Sequence, residues 1–187
     1  MNALLLEAHL AHVRGWALTP LRGKVPITPG WSTAPRPTEE QLYAWARAGN
    51  LGVRCGAVSG ILVVDYDPKH NAPAPDEIGL DIVTPTVITG SGGRHQYFAA
   101  PDPCPGNSSA KLAHGVDTRG DGGQVVAAGS VHPETGQPYA WAPGLSPEDV
   151  PLAQLPPSIL ARLRPVARVE SSAPPRAQIA DRYVEVA

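Results

Sequence analysis

The spacing of apolar residues along this chain changes several times, and each change predicts an element. From Ala3 to Trp16, Leu6, Leu10, Val13 and Ala17 recur at helical spacing, with Glu7, His12 and Arg14 left for a wet face, which predicts an amphipathic helix. An extended stretch follows from Leu18 to Ile27, interrupted by Gly23-Lys24 ahead of Pro26. Thr38 and Gln41 then stand three apart before Leu42, Trp45 and Ala46, the spacing of a capping box, and Gly49-Asn50 supply the stop of that second helix. Leu51–Gly56 reads as a short strand. After Ser59-Gly60 comes the most apolar run of the chain, Ile61-Leu62-Val63-Val64-Asp65-Tyr66-Asp67-Pro68, a buried strand ending in two acids. Antiparallel pairing of these two strands is the shortest connection.

Residues 70–85 are polar and proline-rich, predicting a loop with a short helix around Asp76–Asp81. Thr86–Thr89 and Arg94–Phe98 read as strands joined by the tight turn Gly90-Ser91-Gly92-Gly93. Val116-Asp117-Thr118 is strand-like, Asp121-Gly122 is a hairpin signal, and Gln124–Ala128 returns as a strand. Tyr139–Trp141 makes a last short strand and Ser158–Leu163 a short helix packing back on the domain. No internal repeat is visible. The pattern predicts an α+β fold with a mixed or antiparallel central sheet and flanking helices. It forms one domain over residues 1–164, with a proline-rich tail or linker over 165–187.

Composition sharpens this picture. A chain of 187 residues can bury a core without cross-links, and with 42% hydrophobic but only 5% aromatic residues that core is aliphatic. The 22 prolines and 19 glycines call for many turns and short strands. Two cysteines are too few for a disulfide scaffold or a four-cysteine zinc site, which points to a reducing setting. No apolar run approaches the roughly 18 residues of a membrane span, and no signal-peptide pattern opens the chain, so a soluble cytoplasmic protein without a membrane partner is expected. The net charge of -2 argues against coating nucleic acid by bulk electrostatics and leaves room for a local basic groove.

The candidate chemistry begins at Asp65 and Asp67. Two residues apart on a strand, they share a face about 6.6 Å apart at the backbone, close enough for their oxygens to converge on divalent ions. Taken alone, Asp67-Pro68 is also an ordinary turn opener. Asp117, between two β-formers, is a third acid on a strand, whereas Asp121 reads as a turn residue. Carboxylate oxygens are the ligands Mg²⁺ and Mn²⁺ prefer. The glycine turn could aim amide N–H groups at an anion, with Ser91, Arg94 and His95 beside it, or could simply be a hairpin that needs positive φ. Lys24 could reach a phosphate or sit exposed in its turn. Three acids facing an anion-binding turn suit in-line displacement at phosphorus. No Walker-type loop, Gly-x-Ser-x-Gly elbow or His-Glu-x-x-His helix competes.

In chain order, five segments closely resemble the bifunctional DNA primase/polymerase (Prim-Pol) domain of the archaeo-eukaryotic primase superfamily. They are Gly23-Lys24-x-Pro26, Val63-Val64-Asp65-Tyr66-Asp67, Thr89–His95, Val116–Gly123 and Gly129-Ser130-Val131-His132-Pro133, and the likeness runs from about Trp16 to Trp141. The resemblance implies a catalytic core with a sheet like that of an RNA-recognition motif. Within it Asp65, Asp67 and Asp117 hold two divalent ions, Mg²⁺ or Mn²⁺, and His95 contacts the phosphates of the incoming nucleotide. Ser91, Arg94, Arg119, Lys24, Ser130 and His132 stand in or near these motifs as neighbours of the nucleotide site. Where the family's His motif can open on serine, this chain has Gly93, which leaves the backbone amide to donate. A zinc-binding element, found in some relatives, does not fit two cysteines.

The implied reaction is attack of a 3′-hydroxyl on the α-phosphate of an NTP or dNTP, directed by a DNA template, with release of pyrophosphate. The implied partners are primed or unprimed DNA and nucleotides, with a helicase domain or protein as a further candidate. A metal-dependent nuclease or phosphodiesterase would use the same acids, and a non-catalytic DNA-binding module in replication initiation would need none of them.

Overall fold

A computed structural model describes residues 3–164, so the tail expected over 165–187 lies outside the described residues. The fold is α+β, with two antiparallel sheets and few helices. Helix α1 (Ala3–Val13) leads into β1 (Leu18–Arg22) and β2 (Val25–Pro26), a hairpin that turns at Gly23, where φ is +62°. Helix α2 (Glu39–Ala48) is followed by β3 (Asn50–Arg54) and the apolar β4 (Ile61–Tyr66). Strands β5 (Thr86–Ile88), β6 (Arg94–Ala99), β7 (Ser108–Ala113), β8 (Val116–Arg119), β9 (Gln124–Val126) and β10 (Ala140–Trp141) precede the closing helix α3 (Pro157–Leu163). One sheet runs β2-β1-β3-β9 and the other β10-β5-β6-β4-β8-β7.

Strand β4 explains the layering. Ile61 and Val63 point into a core shared with α1, α2 and the four-stranded sheet, while Leu62, Val64 and Tyr66 point into a second core under α3. A strand buried on both faces has no polar alternation, which is why its sequence reads as an unbroken apolar run. Each of these side chains contributes about 1.5–3 kcal/mol by burial, enough to fix the strand at the centre of its sheet. Asp65 shares the face of Ile61 and Val63, so where the inter-sheet core ends its carboxylate opens between the two sheets.

The capping box of α2 is present as expected. Thr38 Oγ1 accepts from the Gln41 amide at 3.3 Å, Gln41 Oε1 accepts from the Thr38 amide at 2.9 Å, and the helix stops at Gly49. Strand β5, the glycine turn and β6 also form as read, and the short helix expected near Asp76 is a single 3-10 turn, Asp76–Ile78. No helix among the described residues is long and apolar enough to cross a membrane.

Three expectations need correction. Helix α1 does not bury Leu6 and Val13, which are 39% and 68% exposed; it buries Leu4, Ala8 and Ala11. The backbone at its start passes so close to Gly129 that a Cβ there would lie 2.7 Å from the Leu4 Cα. Strands β3 and β4 do not form a hairpin: β3 pairs with β1 and β9, β4 pairs with β6 and β8, and only Gly56 and Ile61 bridge the two. Likewise Asp121-Gly122 joins β8 and β9, which belong to different sheets. Both glycine turns are crossings from one sheet to the other, and they are fastened together. Asp121 Oδ1 accepts from the Ala57 amide at 2.8 Å, and a Cβ on Gly56 would fall 2.0 Å from that same oxygen. A turn signal specifies a reversal, but the partner strand is chosen by packing far away in sequence.

Candidate active site

Strand register builds the site. On β4, Asp65 lies directly opposite His95 of β6 on one side and Asp117 of β8 on the other. Residues opposite one another in antiparallel strands share a face, so His95, Asp65 and Asp117 form one row across three strands. His95 Nε2 is 3.5 Å from Asp65 Oδ1. The imidazole is 5% exposed, and its burial lowers its pKa, opposed by the Asp65 charge and reinforced by Arg119 and Lys24, so it is neutral at neutral pH. The Asp117 carboxylate accepts from Arg119 Nη2 at 2.9 Å and from the Ala110 amide at 3.2 Å.

Asp67 departs from the strand reading. Strand β4 ends at Tyr66, and Asp67, still extended at φ -98°, caps the 3-10 turn Pro68–His70 by accepting from the Lys69 amide at 2.9 Å. Its other oxygen lies 3.1 Å from His70 Nδ1. The turn-opening role of Asp-Pro and the acidic cluster are therefore both realised by this one residue.

A cleft of about 390 Å³ between the sheets is lined by Asp65, Asp67, His95, Ser91, Lys24 and Arg119. A second hollow of about 330 Å³ shares Asp65, Asp67 and Arg119 with it and adds Asp117. Asp65 and Asp67 thus stand between two adjoining hollows, with Asp117 in the second only. Among the described residues no group of three or more His, Cys, Asp or Glu is gathered as a metal-holding set. The donor chemistry nevertheless suits a hard divalent ion: carboxylates on neighbouring strand positions, with side chains of Asp65 and Asp117 27% and 29% exposed. Asp67 and Asp117 are turned to protein partners of their own, Asp67 to the Lys69 amide and His70, Asp117 to Arg119 and the Ala110 amide.

The remaining expected neighbours divide by strand face. Arg94 precedes His95 and so points to the opposite side of the sheet, where it lines a separate hollow with Gln96. Ser130 is buried and bridges β3, accepting from the Leu51 amide at 3.1 Å and donating to the Leu51 carbonyl at 3.2 Å. His132 is buried behind the cleft, its Nδ1 accepting from the Glu134 and Thr135 amides at 3.3 Å. The Gly93 amide is not free to donate to a ligand, because it donates to Thr89 Oγ1 at 2.9 Å, and the Gly92 amide donates to the Thr89 carbonyl. Glycine at 93 instead answers to crowding: a Cβ there would meet the Tyr66 carbonyl at 2.3 Å.

Tyr139 and Trp31 are among the cleft residues that escaped the sequence reading. Tyr139 lines the cleft and stacks between His95 and His132, with ring centroids 5.8 Å and 6.0 Å away. Nothing in Tyr139-Ala140-Trp141 distinguishes it from a core aromatic. Trp31 also lines the cleft, and here a signal existed, because a tryptophan between glycine and serine belongs to no apolar period.

No curated protein matches the chain. Residues 8–158 match the family described as bifunctional DNA primase/polymerase, N-terminal, a span that contains every strand of both sheets and every residue of the cleft. With a match over most of its length, the chain belongs to the Prim-Pol family.

Proposed function

We propose that this protein is a template-directed DNA primase/polymerase that joins a 3′-hydroxyl to the α-phosphate of an NTP or dNTP with release of pyrophosphate. Membership in the family implies primase/polymerase-type activity on DNA and nucleotides, and such enzymes are typically metal-dependent. The observation that supports the finer reading is that Asp65, Asp67 and His95 line one cleft with Lys24, Ser91 and Arg119, while strand register sets Asp117 opposite Asp65 in the adjoining hollow.

In this reading Asp65, Asp67 and Asp117 would hold Mg²⁺ or Mn²⁺. When bound, such ions activate the attacking hydroxyl and neutralise charge on the leaving group. The protein's own residues do the rest. Lys24 on its hairpin and Arg119 beside Asp117 supply positive charge toward a polyphosphate, and the Ser91 hydroxyl at the mouth of the glycine turn offers a hydrogen bond. Neutral His95 can donate one ring N–H to a phosphate oxygen without adding a charge that would repel the ions. To hold an ion, Asp67 would give up the Lys69 amide and His70, and Asp117 the Ala110 amide or Arg119.

The test is labelled-nucleotide incorporation on primed and unprimed DNA templates in Mg²⁺ or Mn²⁺. Incorporation should depend on template and disappear in Asp65→Ala and Asp67→Ala while the circular dichroism spectrum stays that of the parent. Retained extension by both variants sinks the proposal, and degradation of DNA without nucleotides would point to a nuclease instead.

A further inference from the structure

We propose that Trp31 is the nucleobase platform of this cleft, an inference that rests on the polymerase reading for the identity of the ligand but not for the presence of the platform. Of the four tryptophans, Trp16 belongs to the inter-sheet core and Trp45 and Trp141 pack against it. Among the described residues Trp31 belongs to neither core, yet it lines the cleft. Trp31 is partly buried, and the part of its indole that lines the cleft is apolar surface that a stacked base would cover.

The loop that presents Trp31 is built to be rigid. Its own backbone closes on itself, with the Trp31 amide donating to the Thr28 carbonyl at 3.2 Å and the Thr33 and Ala34 amides to the Gly30 carbonyl at 3.0 Å. Arg54, 3% exposed at the end of β3, spends its guanidinium on the same loop: Nη2 donates to the Ser32 carbonyl at 2.9 Å and Nη1 to the Ala34 carbonyl at 2.8 Å. Arg36 fastens the far side of the loop to the Gly15 and Val58 carbonyls. A buried arginine committed to main-chain carbonyls is a costly way to hold an ordinary surface loop, and it fixes where Trp31 stands.

The next rung explains what stands beside it. Gln124 on β9 is in register with Arg54, and its Nε2 donates to the Lys24 carbonyl at 3.0 Å. One pair of facing residues on β3 and β9 therefore anchors both Trp31 and Lys24 on the same wall of the cleft, across from Asp65 and His95. An aromatic ring and a cation lining one cleft match the two chemically different ends of a nucleotide, base and phosphate. Stacking on an indole tolerates any base, which suits a templated enzyme whose base choice comes from pairing.

The experiment follows tryptophan fluorescence of the intact protein during titration with a nucleoside triphosphate, with inorganic tripolyphosphate, and with single-stranded oligothymidylate. Nucleobase-bearing ligands should quench the fluorescence and tripolyphosphate should not. The quenched component should vanish in Trp31→Phe, which keeps an aromatic face and should bind within a few-fold of the parent. Trp31→Ala should weaken binding about tenfold, the scale of a lost base stack. Loss confined to the triphosphate arm assigns the platform to the incoming nucleotide, and loss confined to the oligonucleotide arm assigns it to a template base. Either supports the platform. Unchanged affinity of Trp31→Ala for both, with an unchanged thermal melt, overturns it, as does an equal loss for tripolyphosphate. If the quench persists in a protein that incorporates no nucleotide, the polymerase reading fails while the platform stands.

Discussion

The two walls of the cleft come from the two sheets, and they are made differently. The six-stranded wall sets His95 and Asp65 by strand register, with Asp117 opposite Asp65 on the next strand, so each position is fixed by backbone pairing. The four-stranded wall sets Lys24 and Trp31 on turns, held by the side chains of Gln124 and Arg54. Groups whose spacing must be kept within a fraction of an ångström belong on strands, while groups that meet a variable substrate belong on loops. Under the proposed function, reaction chemistry would fall to one wall and substrate engagement to the other.

Breaking the register-fixed wall should have the largest effect. Asp65→Ala should lower the turnover of templated incorporation by about a thousandfold or more, measured by primer extension. Breaking the fastening between the walls should come next. Gly56 has φ +88°, and a Cβ there would strike Asp121, so Gly56→Ala should destabilise the fold by about 2–4 kcal/mol in urea denaturation. On the loop wall, Lys24→Ala should raise the nucleotide KM by roughly tenfold with turnover little changed, since a cation that greets the phosphates binds ground state and transition state alike.

The smallest effect concerns pH. Burial lowers the pKa of both His95 and His132 below the ordinary 6.5, so the unfolded chain binds more protons than the folded one as pH falls below that value. Stability should be level above about pH 7 and decline on acidification through the mid-6 range toward the lower folded values. His132→Gln should flatten the decline in urea midpoints measured from about pH 8 to about pH 5.

Much of this was legible in the chain because it is local. The Thr38–Gln41 capping box, the apolar β4 and the β5–turn–β6 unit each depend on neighbours a few residues away, and each formed as read. The acids of β4 and β8 were legible as residues, and the register that puts Asp65 against Asp117 was not, because pairing is decided across 52 positions by packing (117 − 65). The same cause turned two apparent hairpins into sheet crossings. The face of α1 was hidden because it buries the small Ala8 and Ala11 beside Leu4 and leaves Leu6 and Val13 exposed, which helical spacing of the larger apolar residues does not report. The Gly93 amide looked free because nothing in a glycine run says that Thr89 will take its hydrogen bond.

Metal binding by the acid row is the sharpest test of this account, since Asp67 and Asp117 are turned to protein partners here and must act together with Asp65. Mn²⁺ should be titrated into the parent protein and into Asp65→Asn and Asp117→Asn, following the free-ion signal by electron paramagnetic resonance. The account predicts tight uptake by the parent and a clear loss in each variant alone. Uptake by both variants equal to that of the parent would contradict it.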